Sequence, residues 1–238
     1  MKMFCYQCEQ AAKGTGCTVQ GVCGKSPEVS SLIDLTMYAA KGLSMYAHRA
    51  RKLGAADREI DKAVVEALFS TVTNVNFDPE RYQPILFGLA KLRDRARELY
   101  QDACRKKGTT PEQLGGPAEW KPAKDLAGLI KQGEAVPITE RIGKYGADVT
   151  GLMELVAYGI KGMAAYADHA QILGKADDGV YAFFHEALDV LAKEDQDANE
   201  LTALALRCGE VNLKILELLD AANNTYGHPE PTKVRIEP

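Results

Sequence analysis

No stretch of the 238-residue sequence stays apolar for the ~18–20 residues that a membrane span needs. The opening Met1-Lys2-Met3-Phe4-Cys5 has no apolar signal core either. The expected location is the cytoplasm, with no membrane partner. Lys and Arg do not gather into a stripe, and 33 acids outweigh 29 bases for a net charge of −4. Nucleic acid is therefore not an expected partner. Alternating strand patterns are missing, so a sheet protein is not expected. Histidine is scarce: His48, His169, His185 and His228 are the full set, and none stands three residues after a glutamate. A di-iron bundle, which needs Glu-x-x-His pairs, is excluded on that ground. Asp168-His169 has no serine or cysteine nearby in sequence to activate, so a hydrolase triad finds no support. All four histidines read as surface or satisfied residues.

Cysteine is sparse outside one segment. Of six, Cys5, Cys8, Cys17 and Cys23 crowd the N-terminus, while Cys208 stands alone on an apolar helical seam and Cys104 beside the equivalent stripe, and both read as buried thiols. A disulfide scaffold would spread its cysteines along a small secreted chain. The clustered pattern, Cys5-x2-Cys8-x8-Cys17-x5-Cys23, points to metal or redox chemistry. Four thiolates suit an iron–sulfur cluster or a tetrahedral zinc ion. Zinc sites usually show two short pairs, and here one pair is followed by two single cysteines. A cubane has well-separated corners that an irregular loop can reach. Gly14, Gly16, Gly21 and Gly24 let backbone N–H groups come close to sulfur, with Lys13 and Lys25 at hand to favour a reduced, more negative state. The spacing favours a [4Fe–4S] cluster on these four cysteines. Zinc and redox disulfides stay open as alternatives.

After residue 25 the chain reads as helix. Ser26-Pro27-Glu28 opens the first, ending near Gly54. Asp57 opens a second to about Val75, and Asp78-Pro79-Glu80 a third to about Lys106. Residues 108–138 are richer in Gly and Pro and read as a connector with a short helix near Lys124–Lys131. A long helix is expected from about Asp148, and a last one from about Asp195. The long helix matches the first at an offset of 120: Asp34-Leu35 with Glu154-Leu155, Tyr38 with Tyr158, Lys41-Gly42 with Lys161-Gly162, and Tyr46 with Tyr166. The match points to duplication of a three-helix unit. The expected fold is all-α, with two three-helix bundles related by internal duplication and an N-terminal cysteine-rich cluster-binding loop. Its divisions are 1–25 loop, 26–107 first bundle, 108–147 connector, 148–226 second bundle and 227–238 tail. Gly42 and Gly162, each inside a helix, suggest close approach of another helix.

The runs Met3-Phe4-Cys5-Tyr6-Gln7-Cys8-Glu9-Gln10, Gly14-Thr15-Gly16-Cys17-Thr18 and Gly21-Val22-Cys23-Gly24-Lys25 resemble the N-terminus of the hybrid cluster protein (prismane) family. The resemblance continues through Asp34-Leu35, Lys41-Gly42, Thr73-Asn74 and Lys161-Gly162 to Asn224-Thr225-Tyr226-Gly227. It implies a helical domain of two three-helix bundles whose cubane [4Fe–4S] cluster sits on Cys5, Cys8, Cys17 and Cys23. A subgroup with wider spacing carries [2Fe–2S]. The family's enzymes reduce hydroxylamine and nitric oxide in the cytoplasm, with roles in nitrosative stress. Full-length members continue into two α/β domains that hold a second, iron–sulfur–oxygen hybrid cluster. No ligand set for that cluster exists here. The resemblance thus implies an electron-transfer domain, with no catalytic residues of its own and no hydroxylamine reductase activity alone. Its partners would be a redox donor protein and those α/β domains. A zinc-stabilised helical interaction module is the alternative, and an iron–sulfur sensor a weaker one.

Overall fold

Short polar side chains set where the helices begin. In a computed structural model of the chain, which describes residues 3–225, 227–228 and 230–235, seven α-helices follow one another. They are α1 (Pro27–Lys52), α2 (Arg58–Ser70), α3 (Pro79–Lys107), α4 (Leu126–Glu134), α5 (Ile138–Ile172), α6 (Asp178–Val190) and α7 (Ala198–Asn223). Ser26, Asp57, Asp78, Asp125, Asp177 and Asp197 cap all but α5, each side chain accepting from a backbone N–H in the first turn. Gly108 closes α3 in the left-handed region at φ 68°. The fold is all-α. Among the described residues the one β-type pairing outside the helices is an isolated antiparallel bridge between Cys5 and Cys17. Tyr226 and Pro229 of the tail motif, and Pro238, lie outside the described residues.

Helix α5 starts well before the expected Asp148. Pro137 precedes its first turn, and the helix is interrupted at Gly146, with φ 80° and ψ 170°. That break splits the apolar periodicity and hides the first segment from a pattern reading. The segment matters because it carries Arg141.

Two bundles with separate cores were expected. The buried side chains instead form one cluster drawn from α1 through α7. Helix α1 packs against α3 and α6, and α5 packs against α7 and α2. Each middle helix therefore seats chiefly on the long helix of the other segment. Arg49 of α1 reaches Asp189 of α6 at 2.6 Å, and the Phe69 ring of α2 meets His169 of α5 edge-on.

The exchange of middle helices also builds a buried polar chain. Ser44 of α1 lies 3.0 Å from His185 Nδ1, and His185 Nε2 lies 3.0 Å from Asp61 of α2. Arg51 completes it at 2.5 Å from Asp61. His185 and Asp61 are 1% and 3% exposed, and Ser44 is fully covered. The order Ser–His–Asp mimics a hydrolase triad, but no substrate can reach the serine, so the array ties three helices together. Burial pushes His185 below its ordinary range, against the pull of Asp61. Burial works to raise Asp61, but the hydrogen bonds from His185 and Arg51 outweigh it and hold its carboxyl below the usual range. The neutral ring then donates from Nε2 to Asp61 and accepts from Ser44 at Nδ1. A depressed histidine stabilises the fold above its unfolded pKa of about 6.5 and loses that contribution as pH falls towards its folded value. Thermal unfolding followed between pH 7 and 5 should show stability dropping on acidification, by at most about 1.4 kcal/mol per pH unit for this one proton. The same dependence persisting in His185→Gln would assign it to other groups.

Candidate metal centre

Residues 3–25 form a loop with little regular structure, held at both ends. Cys5 and Cys17 exchange two backbone hydrogen bonds, N–H to O at 3.1 and 2.8 Å, and so pin the first and third cysteines side by side. A single 3-10 turn, Ala12–Gly14, lies between them. Gly16 passes against the Phe4 ring so closely that a Cβ there would lie 2.7 Å from it. Met3 is buried, and the Thr73 hydroxyl, in the turn between α2 and α3, donates to Gln7 Oε1 at 3.2 Å. The far end folds back through Gly21 N–H to Lys25 O at 2.8 Å, and Lys25 itself is buried.

All four loop cysteines are free thiols, with Cys17 buried and Cys5, Cys8 and Cys23 half-buried. Two of their sulfurs already accept hydrogen bonds. Ala12 N–H points to Cys17 Sγ at 3.5 Å, and the Lys25 ammonium to Cys5 Sγ at 3.7 Å. Gly21 leaves room beside the last thiol, since a Cβ there would lie 3.1 Å from Cys23 Sγ. Among the described residues, no three Cys, His, Asp or Glu side chains gather closely enough to hold one metal ion. One tetrahedral zinc would need its sulfurs about 3.8 Å apart, from Zn–S bonds of about 2.3 Å. A cluster takes each thiolate on a different iron and tolerates a wider spread. Four thiolates on one loop are donors of the kind that either centre takes.

Aromatic rings connect the loop to the helices. Phe4 meets Tyr6 at 5.1 Å between centroids, and Tyr6 meets Tyr158 of α5 at 6.1 Å, edge-on. Burial and the neighbouring Glu154 push the Tyr6 hydroxyl up to about 12. Tyr158 carries a buried hydroxyl with no hydrogen-bond partner among the described residues. Tyr158 faces the loop from α5 through that contact with Tyr6. The matched Tyr46 and Tyr166 diverge, with Tyr46 buried and Tyr166 45% exposed.

The remaining cysteines are core residues, as expected. Cys104 and Cys208 are buried, and burial pushes the Cys208 thiol up to about 11. Asp34, Lys41, Arg141, Glu154 and Lys161 line one small cavity between α1 and α5. No reading of the sequence singled them out as a site. The signal was present in the 120-residue match, which sets an acid and a lysine at equivalent positions of two otherwise apolar helices.

A family model described as the Prismane/CO dehydrogenase family matches residues 3–238. A protein named hydroxylamine reductase from Rhodospirillum rubrum is 54% identical over 233 residues, covering 98% of this chain and 42% of that protein. Proteins of the same name from Geobacter sulfurreducens and Methanocella arvoryzae are 48% and 44% identical, again over 98% of this chain, and over 43% and 42% of their own lengths. The chain thus spans less than half the length of these relatives. Among the described residues, no helix is long and apolar enough to cross a membrane.

Proposed function

Since this chain belongs to the Prismane/CO dehydrogenase family, we propose that its N-terminal loop holds a [4Fe–4S] cluster on Cys5, Cys8, Cys17 and Cys23 and passes electrons onward. The observation that carries this reading is four free thiols on one glycine-rich loop, two of them already receiving N–H donors. When bound, the cluster supplies one-electron chemistry. The chain's own groups do the rest. Ala12 N–H and the Lys25 ammonium stabilise negative charge on sulfur, which favours the reduced state. Val19 and Val22 stand 81% and 59% exposed on the same loop and give a donor protein an apolar foothold beside Cys17 and Cys23.

The acceptor is a reaction centre in the remainder of a longer protein of hydroxylamine reductase type, as the relatives' name and length suggest. A cytoplasmic setting agrees with thiols that must stay reduced to bind iron. Anaerobic purification tests the reading. Brown protein with about four irons and four sulfides per chain, and a cubane signal in low-temperature EPR after reduction, is expected. Colourless protein holding one zinc would sink it and leave the helical interaction module instead.

A further inference from the structure

Tyr158 belongs to the long helix α5, and its ring meets Tyr6 of the cysteine loop edge-on. The residue is half-buried, but the hydroxyl at its tip is fully covered. No described residue accepts the proton of that hydroxyl. A buried donor without an acceptor forfeits the hydrogen bond that water would give it, so folded proteins rarely leave one unpaired. An acceptor belongs beside it.

The neighbours narrow the choice. After burial, the groups that act on the hydroxyl are Glu154, Tyr6, Cys5 and Asp34, in falling order, and all push it above its ordinary range. The hydroxyl therefore keeps its proton and is available as a donor. Glu154, about one turn back on α5, is held by Arg141 at 2.6 Å. Tyr6 meets Tyr158 ring to ring. Asp34 acts least of the four. Cys5 is the neighbour of Tyr6 in the chain and supplies the one sulfur of the set. That sulfur already receives the buried Lys25 ammonium at 3.7 Å, and sulfur can accept more than one donor. A protonated thiol is a weak acceptor, whereas an ionised one is a strong acceptor.

We propose that the Tyr158 hydroxyl donates a hydrogen bond to sulfur at the Cys5 corner of the metal centre and raises the reduction potential of that centre. This rests on the reading of Cys5, Cys8, Cys17 and Cys23 as cluster ligands. Tyr158 binds no iron. It acts through the sulfur, as a positioning residue. Negative charge on sulfur is greater in the reduced state, so a fixed donor favours reduction. The electron comes from the redox donor protein, no covalent bond forms or breaks, and the hydroxyl keeps its proton throughout.

Tyr38 is the internal control. It matches Tyr158 at the 120-residue offset, yet it lines a groove with Tyr145 and Glu194. Burial and Glu194, not Cys5, act on its hydroxyl.

The test is a redox titration of the full chain, loaded anaerobically with iron and sulfide and reduced stepwise with dithionite and mediators. Tyr158→Phe should keep its iron, sulfide and helical dichroism. It should lose about tenfold in the reduction equilibrium, a fall of about 59 mV for one electron. Tyr158→difluorotyrosine keeps the hydroxyl and makes it more acidic, hence a stronger donor, so the potential should rise. Tyr38→Phe should match the wild type. Opposite shifts from two nearly isosteric changes mark a hydrogen bond to sulfur, because loosened packing would move both the same way. A Tyr158→Phe potential equal to or above the wild type overturns the proposal. So does a difluorotyrosine potential equal to or below it. Should Tyr158→Phe fail to fold or to load, the difluorotyrosine variant decides alone by that same criterion. Failure of the underlying reading looks different. Colourless zinc protein with no couple to titrate overturns both, whereas brown protein with unmoved potentials overturns the role of Tyr158 alone.

Discussion

Cys17→Ser is expected to strip the chain of most of its iron while leaving its helices in place. Cys17 is the buried cysteine of the loop, and its backbone, not its sulfur, makes the bridge to Cys5. Serine keeps that bridge and removes a soft thiolate ligand. Loss of an outer-sphere partner alone costs a metal site about 10–100-fold in affinity, and loss of a direct ligand should cost at least as much. Retained iron after desalting should fall roughly tenfold or more on that scale. The helices should survive, because their caps and common core lie at residues 26–225. Cys208→Ser is the contrast, since that thiol sits beside Gly159 between α5 and α7 and should leave the iron unchanged. Full iron in Cys17→Ser would remove Cys17 from the ligand set. Collapse of its dichroism at 222 nm would instead mean that the loop holds the fold.

Gly42→Ala is expected to be strongly destabilising, and Gly162→Ala to be mildly stabilising. The two glycines match in sequence but not in surroundings. A Cβ on Gly42 would lie 2.0 Å from the Pro117 carbonyl oxygen, a backbone atom that cannot swing aside. The segment around Pro117 is clamped from the other side. Arg97 donates to Ala118 O at 3.1 Å, Tyr46 donates to Glu119 at 3.0 Å, and Arg93 bonds to Trp120 O. Alanine must therefore push α1 and this segment apart and break some of those bonds. A cost of about 3 kcal/mol or more follows from the upper end of overpacking effects. For a chain of this size that is roughly 6–12 °C in Tm. Gly162 meets nothing within 4 Å and is exposed, so alanine there gains helix propensity of about 1 kcal/mol. Paired thermal melts of the two variants check both signs. Equal shifts would show that helix propensity, not the contact with Pro117, sets the cost at residue 42.

Close approach was the right reading for Gly42, although the partner is a 3-10 turn, Gly116–Glu119, and not a long helix. For Gly162 the same inference fails, because a sequence match carries local geometry and not neighbours. Helix starts were legible at Ser26, Asp57 and Asp78 for a local reason: a cap bonds to N–H groups two or three residues on. The start of α5 was missed because Pro137 offers no side-chain cap and Gly146 interrupts the pattern. The four loop cysteines were legible by spacing. Their hydrogen-bond donors were only half so: Lys25 was expected near sulfur, and Ala12 gave no sign.

The sequence by itself determined the helical class, most helix boundaries, the cysteine loop and the family. Each of these rests on residues a few positions apart, where caps, periodicity and ligand spacing act directly. Tertiary structure alone decided that α2 and α6 exchange places across the two segments, merging their apolar faces into one core. It also decided that His185 meets Ser44 and Asp61 across 141 and 124 residues. It brought two matched acid–lysine pairs into one cavity behind the loop. Those meetings depend on which apolar faces fit together, a matter of side-chain volume and packing over the whole chain that no local pattern encodes.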